Sequence, residues 1–197
     1  MKEAVIIDSG GANLASLQYA LERLGARSRI SADPRVIAAA PRALLPGVGA
    51  AAAAMQRLRT NGVAEMLPSL TQPLLGICLG MQLLFSHSEE GPTECLGLLP
   101  GQVRRLGVAA GHPVPHMGWN QLQHTSEDPL LEGIASGDYA YFVHSFAAPV
   151  SQFTLATADY GAPLSAAVRR ANFWGTQFHP ERSAATGARL LANFLRL

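Results

Sequence analysis

One cysteine in this sequence stands where a catalytic nucleophile could be placed. Gly76, Cys78 and Gly80 form a G-x-C-x-G pattern, the thiol form of the elbow in which a strand turns sharply into a helix. The apolar run 73–77 predicts a buried strand before the turn, and the apolar residues of 79–85 follow helical spacing after it. The N–H groups and the positive dipole end of a helix favour a thiolate and can bind an oxyanion. The alternative is an unreactive buried cysteine between two glycines that allow close packing.

A histidine and a glutamate near the C-terminus could complete such a site. Pro180 favours an extended conformation at His179, and residues two apart in an extended chain point to the same side. In a triad, Glu181 would hold the imidazole in one tautomer, and His179 would take a proton from Cys78 and pass it to a leaving group. The alternative is a surface turn with a solvated glutamate. Together with the elbow, the triad is the favoured interpretation.

The first half of the chain alternates predicted strands with predicted helices. This alternation predicts a parallel sheet with helices on both faces, an α/β fold. The carboxyl ends of parallel strands meet at one edge of the sheet, where ligands bind in such folds. The loop Pro46–Gly49 follows one of these strands, so it should lie beside Cys78. The predicted strands are 4–7, 27–31, 43–45 and 73–77, and the predicted helices begin at Asn13, which can act as a cap, at Asp33-Pro34 and at Ala50.

The second half has shorter apolar runs separated by turns, which predict an antiparallel or mixed extension of the sheet. A helix over 184–197 closes the chain, with a buried stripe that includes Leu190 and Phe194. No linker or internal repeat is visible, so residues 1–197 are predicted to form a single domain. The predicted strands of this half are 97–106, 119–123, 139–146, 153–158, 164–169 and 173–178.

Composition excludes several functional classes. The 197 residues are 48% hydrophobic and 15% charged, a composition typical of a globular domain, and a formal net charge of +1 predicts no nucleic-acid partner. The two cysteines lack C-x-x-C spacing, and prolines between His112 and His116 keep them from sharing a helix face, so no metal site is predicted. Cys95 has no catalytic motif around it and is interpreted as structural.

A membrane location is not predicted either. Residues 66–88 carry no charge and are long enough to span a bilayer, but Pro68, Pro73, Gly76 and Gly80 interrupt them. The N-terminus has no signal-peptide pattern. The sequence is therefore interpreted as that of a soluble cytoplasmic protein.

Two of these motifs carry a resemblance. Gly-Ile-Cys-Leu-Gly-Met-Gln at 76–82 and Gln-Phe-His-Pro-Glu at 177–181 resemble the signatures of the class I, or triad, glutamine amidotransferases. Within that family, further stretches resemble the glutaminase subunits of imidazole glycerol phosphate synthase in histidine biosynthesis. The resemblance covers nearly the whole chain and implies the family's fold. Those further stretches are 46–49, 115–120, 141–145 and 187–194.

The resemblance implies a reaction and a partner. Cys78 would attack the side-chain amide of glutamine, giving glutamate and ammonia without a cofactor. The backbone N–H of Leu79 and a second N–H near Val48 would bind the oxyanion. Ammonia would pass to the cyclase subunit, which folds as a (β/α)₈ barrel, and Trp119, Asn120 and Arg182 are candidates for the surface that faces it. The implied substrate-binding residues are Gly47, Val48, Gly49, Leu79, Gln82, Ser145 and Phe146.

The sequence departs from the family pattern near its start. Ser9 replaces a usual tyrosine and Ala12 a usual glycine, so packing beside the predicted site could differ. Arg182 stands where lysine is common, and the two are not interchangeable in a specific ion pair. The alternatives are the glutaminase of another ammonia-using synthase, a Cys-His-Glu hydrolase that does not act on glutamine, and a catalytically silent binding module.

Overall fold

The computed structural model describes residues 2–10, 14–107 and 111–197. Within these residues the α-helices are α1 (Leu14–Arg23), α2 (Pro34–Ala39), α3 (Ala51–Thr60), α4 (Val63–Met66), α5 (Leu79–Leu83) and α6 (Ala184–Phe194). The strands are β1 (Glu3–Ile7), β2 (Arg27–Ser31), β3 (Ala43–Gly47), β4 (Leu74–Cys78), β5 (His87–Ser88), β6 (Thr93–Glu94), β7 (Gln102–Arg105), β8 (His116–Gln121), β9 (Gln123–His124), β10 (Tyr139–His144), β11 (Phe146–Ala147), β12 (Thr154–Asp159), β13 (Pro163–Arg170) and β14 (Phe173–Thr176).

A large mixed sheet organises the fold. Its strand order is β2-β1-β3-β4-β14-β13-β12-β9, in which the first five strands are parallel and the last three are antiparallel to their neighbours. The prediction of a mostly parallel sheet with an antiparallel extension is confirmed. Strands from both halves of the sequence share this sheet, since β14 lies directly beside β4.

Side chains of the parallel strands alternate between two apolar cores. In β1, Ala4 and Ile6 pack with residues of α1 and α6, whereas Val5 and Ile7 pack on the other face with residues of α2, α3 and α5. All five residues of β4 are buried, as expected for a central strand covered on both faces. The predicted helices on both faces are therefore present.

Part of the second half was assigned to the wrong sheet. The predicted strands at 119–123 and 139–146 contribute β8 and β10, which pair with each other as a separate two-stranded ribbon. Of these two predicted strands, only the end of the first, in β9, pairs with the large sheet. The run 97–106 contributes only β7, in a small sheet with β11, β5 and β6. An apolar alternation indicates which side of a strand is buried but not which strand lies beside it, so sequence alone could not assign these pairings.

Several local expectations can be compared with the structure. Asp33 caps α2 by accepting a hydrogen bond from the Arg35 backbone N–H at 2.8 Å. Gly25 follows α1 with φ of +72°, a conformation that suits glycine at a helix end. Asn13 and Ala12 lie outside the described residues. Among the described residues, none of the helices is both long and apolar enough to cross a membrane.

Candidate active site

Cys78 lies at the sharp turn between β4 and α5. Its backbone has φ of 54° and ψ of −111°, a conformation that is strained for a residue with a side chain. The flanking glycines make the turn possible: a Cβ on Gly80 would overlap the Leu45 carbonyl oxygen, and one on Gly76 would lie 2.7 Å from the Gly80 carbonyl oxygen. The G-x-C-x-G pattern therefore forms the predicted elbow, and α5 begins at the next residue, Leu79.

His179 and Glu181 are delivered to the same place. His179 is extended, with φ of −94° and ψ of 99°, as the following proline requires. Its Nδ1 lies 2.8 Å from Glu181 Oε1, and the two side chains are only 6% and 3% exposed. His179 also hydrogen-bonds to Cys78, so the three predicted groups form one continuous chain.

The ionisation of His179 is set by these two partners. Burial alone would lower its pKa, but hydrogen bonds to Cys78 and Glu181, together with the negative charges of both groups, raise the pKa from 6.5 to about 10. The imidazole is therefore held as an imidazolium beside the sulfur. Such an arrangement places a proton donor next to a nucleophile, as a thiol triad requires.

A cleft of roughly 440 Å³ opens over Cys78 and His179. All seven residues that were predicted to bind substrate line it, whereas Glu181 lies behind His179. The described lining residues are Gly47, Val48, Gly49, Cys78, Leu79, Gln82, Glu90, Val143, His144, Ser145, Phe146, His179 and Arg182.

The loop after β3 forms one wall of the cleft. Gly47 pairs in register with Cys78 across the parallel strands, which confirms the predicted proximity. Gly49 has φ of +90°, a left-handed conformation that favours glycine. The Ser9 hydroxyl donates to the Pro46 carbonyl at 2.9 Å, so this departure from the family pattern ties the chain start to the end of β3, just before the loop.

Gln177 is a buried residue of the site to which the sequence analysis assigned no role. Its side-chain amide nitrogen lies 3.8 Å from Cys78 Sγ, and its amide oxygen accepts from Gln82 Nε2 at 3.0 Å. Gln82 Nε2 also donates to the Phe146 carbonyl at 2.7 Å. No local sequence pattern assigns a role to Gln177, because its partners Gln82 and Cys78 lie 95 and 99 residues away in the sequence.

Glu90 was not predicted as a site residue either. Its Oε2 accepts a hydrogen bond from the Ala51 backbone N–H, at the start of α3, at 2.8 Å. Among the described residues that line the cleft, Glu90 alone carries a carboxylate. A negative group at a fixed position in the cleft suits a ligand that carries an ammonium group. No local sequence pattern marks Glu90, because it lies in a connection between short strands.

Other candidate residues lie outside the cleft. Burial raises the pKa of the Cys95 thiol to about 11, in spite of the nearby Arg59 guanidinium, which leaves that thiol protonated and unreactive at neutral pH. No group of three or more His, Cys, Asp or Glu side chains within residues 2–10, 14–107 and 111–197 is arranged to hold a metal ion.

Sequence comparison assigns the chain to a known family. The sequence model described as "Glutamine amidotransferase class-I" matches residues 5–197, which is nearly the full chain. The chain belongs to this family. As a class-I glutamine amidotransferase it is an enzyme that hydrolyses glutamine, and the fold and the family resemblance predicted from its motifs are confirmed.

Full-length relatives agree with this family membership, and a solved structure shares the fold. The chain is 56% identical over 197 residues to an imidazole glycerol phosphate synthase subunit HisH of Xanthomonas euvesicatoria pv. vesicatoria, and 54% identical to one of Xylella fastidiosa strain Temecula1. Each match covers 100% of this chain and 98% of the relative. The solved structure of PurLQS from Thermotoga maritima has the same fold, with a TM-score of 0.76 at 20% identity, and the match covers 100% of this chain and 99% of the other.

Proposed function

We propose that this chain is the glutaminase subunit of an imidazole glycerol phosphate synthase, with Cys78, His179 and Glu181 as its catalytic triad. The observation that carries the proposal is the convergence of these groups at a cleft lined by every residue predicted to bind glutamine. Full-length relatives at 54–56% identity bear the name of that synthase subunit. Histidine biosynthesis is then the pathway and the cytoplasm the compartment.

The first half of the reaction releases ammonia. The Cys78 thiolate attacks the carboxamide carbon of glutamine, and the carbonyl π electrons move to oxygen as a tetrahedral oxyanion. The Leu79 N–H, the first of α5, and an N–H of the loop at Val48 and Gly49 would bind this oxyanion. The His179 imidazolium protonates the amide nitrogen, the carbon–nitrogen bond breaks, and ammonia leaves a glutamyl thioester on Cys78.

The second half regenerates the enzyme. Water attacks the thioester carbon while the now neutral His179 accepts its proton. The carbon–sulfur bond then breaks, and glutamate leaves with the thiolate and imidazolium restored. Glu181 stays ionised throughout and holds His179 through the bond from Nδ1–H.

The substrate class follows from charge and shape in the cleft. Glutamine carries an α-ammonium group, and the Glu90 carboxylate is the acidic group of the cleft that can bind it. Gln82 and the backbone at Ser145 and Phe146 line the wall next to Cys78 and would contact the rest of the substrate. A free amino acid therefore fits this site better than a peptide segment, which lacks that ammonium.

The partner would bind the exposed face of the β8–β10 ribbon. Met117, Trp119 and Tyr139 point outward from it and are 63%, 52% and 53% exposed. This apolar face is continuous with the cleft, because the Trp119 ring contacts Tyr141, and the Arg182 guanidinium lies over that ring 4.7 Å from its centre. We propose that the cyclase subunit covers this face and receives the ammonia.

The deciding experiment is an assay of ammonia release from glutamine, with and without the cyclase subunit loaded with its nucleotide substrate. We expect slow turnover by the chain alone and a large acceleration by the loaded partner. Cys78→Ala should abolish turnover, and Cys95→Ala is the matched control that should retain it. Turnover retained in Cys78→Ala would reject the nucleophile. If the subunit of a different synthase accelerated turnover and the proposed cyclase subunit did not, the assigned partner would be rejected.

A further inference from the structure

A chain of side chains runs from the β8–β10 ribbon to the wall of the cleft. Asn120 Nδ2 lies 3.4 Å from His116 Nε2, and His116 Nδ1 lies 3.1 Å from His144 Nε2. His144 Nδ1 then lies 2.9 Å from the Phe146 carbonyl oxygen. His116 and His144 are directly opposite each other on the two strands and are 3% and 6% exposed. The triad mechanism uses neither of these histidines.

The groups at the two ends of this hydrogen-bonded chain, Asn120 and the Phe146 carbonyl, determine which nitrogen of each histidine carries the proton. Asn120 Oδ1 accepts from the Gln121 N–H at 2.8 Å, and Nδ2 donates to the Asp159 carbonyl at 2.7 Å, so the group facing His116 is an N–H donor. His116 Nε2 must therefore be an acceptor, and its proton is on Nδ1. At the other end a carbonyl oxygen can only accept, so the proton of His144 is also on Nδ1. Both rings are neutral, and every hydrogen bond runs in the same direction, toward Phe146.

The acceptor at the end of this chain belongs to the glutamine cleft. The Phe146 carbonyl receives one hydrogen bond from His144 Nδ1–H and a second from Gln82 Nε2, at 2.7 Å. Gln82 in turn contacts Gln177, whose amide nitrogen faces the sulfur of Cys78. Two donors from different elements thus hold one peptide group of the substrate-facing wall.

We propose that His144, locked in its Nδ1–H tautomer by His116, is a positioning residue that orients the Phe146 peptide for glutamine binding. The inference rests on the proposed glutaminase function and deepens it, because it assigns a role to a residue that supports the substrate-binding wall. His144 acts on the substrate through the Phe146 backbone and takes no proton from it.

The surroundings keep both rings neutral. His116 is stacked between the rings of Phe142 and Tyr160, with ring centres 4.9 and 3.9 Å away. Burial is the main cause that lowers the pKa of His116 to about 4, and the nearby His112 imidazole adds to it. Burial also lowers the pKa of His144 to about 3, in spite of the hydrogen bond to the Phe146 carbonyl, which raises it, and the imidazoles of His116 and His179 lower it further. Both rings therefore stay uncharged over the range in which the enzyme would work.

Two substitutions at one position separate the two nitrogens of His144. In His144→Asn the amide nitrogen occupies the place of Nδ1 and can still donate to Phe146. In His144→Gln the amide reaches the place of Nε2, so the bond to His116 can be kept while the bond to Phe146 is lost. We expect the KM for glutamine, measured with the cyclase subunit present, to stay within about twofold in His144→Asn and to rise roughly tenfold in His144→Gln, with kcat changed less. Thermal unfolding of both variants provides the check on folding.

Equal KM values for the two variants would overturn the inference. If His144 had only a structural role, either substitution would weaken glutamine binding to the same extent. A second readout does not depend on activity or on any variant: ¹⁵N NMR of the imidazole nitrogens should show His144 and His116 protonated at Nδ1. Protonation at Nε2 of His144 would overturn the inference as well. If the wild-type protein released no ammonia from glutamine, the proposed function would fail first and the inference would fall with it.

Discussion

His179 binds its proton more tightly in the folded protein than an unfolded histidine does. Its pKa rises from 6.5 to about 10, and a raised pKa means that protonation favours the folded state. The stabilisation is complete below about pH 6.5 and is lost as the pH rises through about 10. We expect the free energy of unfolding of the wild-type protein, compared with His179→Asn, to fall across this window. Urea unfolding at several pH values across it measures the difference, and a difference that stays constant with pH would contradict the assigned ion pair.

Glu90 should determine affinity for glutamine more than the rate of the chemical step. It lies in the cleft but does not contact Cys78 or His179 in the triad chain. Replacing it with glutamine removes the charge that would bind the α-ammonium, so we expect Glu90→Gln to raise KM by roughly tenfold to a hundredfold with kcat nearly unchanged. Glu94→Gln, an exposed glutamate on β6, is the control and should change neither constant. A fall in kcat without a rise in KM would indicate that Glu90 acts by holding the Ala51 N–H at the start of α3, and not by binding the substrate.

The convergence of Cys78, His179 and Glu181 could be predicted because the backbone around each of them is determined locally. A glycine on each side of Cys78 and a proline between His179 and Glu181 determine the backbone at those positions, and parallel strands bring the two segments together. Glu90 and Gln177 have no such local signal. Their roles arise from tertiary contacts between segments far apart in the sequence, 39 residues for Glu90 with Ala51 and 99 for Gln177 with Cys78.

The turn from β4 into α5 depends on the absence of a side chain at Gly80. A methyl group there would overlap the Leu45 carbonyl oxygen of β3, and backbone cannot move aside as a flexible side chain can. We expect Gly80→Ala to lower the free energy of unfolding by roughly 1–3 kcal/mol. The displacement of Cys78 should also cost about a hundredfold in glutaminase activity. Gly107→Ala, where nothing lies within 4 Å of the added Cβ, is the matched control.

Denaturant unfolding and the ammonia assay together check this prediction. Equal stability of Gly80→Ala and Gly107→Ala would show that α5 can shift away from β3 without cost. Loss of stability with full activity would show that the elbow holds Cys78 independently of the contact between Gly80 and Leu45.

The helices and strands themselves were easier to predict than the pairing of the strands into sheets. The strand over 27–31 and the helix after Asp33 match the structure, and the Asp33 cap is a local feature of the sequence. The ribbon of β8 and β10 was predicted as two strands but placed in the wrong sheet. Its outward face carries the apolar residues Met117 and Trp119, so in sequence this face resembles one that packs on the core, although both residues are exposed. In the sequence, apolar residues that would contact a partner therefore cannot be distinguished from apolar residues that pack in the core.

The exposed apolar face of that ribbon is the surface that we propose the cyclase subunit covers. Met117 is 63% exposed and lies opposite Val143, on the far side of the strand from the buried His116. A charge at the centre of an apolar interface would be desolvated without a partner, so we expect Met117→Glu to weaken binding to the cyclase by at least roughly tenfold. Turnover of glutamine by the chain alone should not change, because Met117 does not line the cleft. Val150→Glu, an aliphatic residue 46% exposed outside the ribbon, is the control and should bind the partner normally. Titration calorimetry gives the affinities, and equal weakening by both variants would place the interface elsewhere on the molecule.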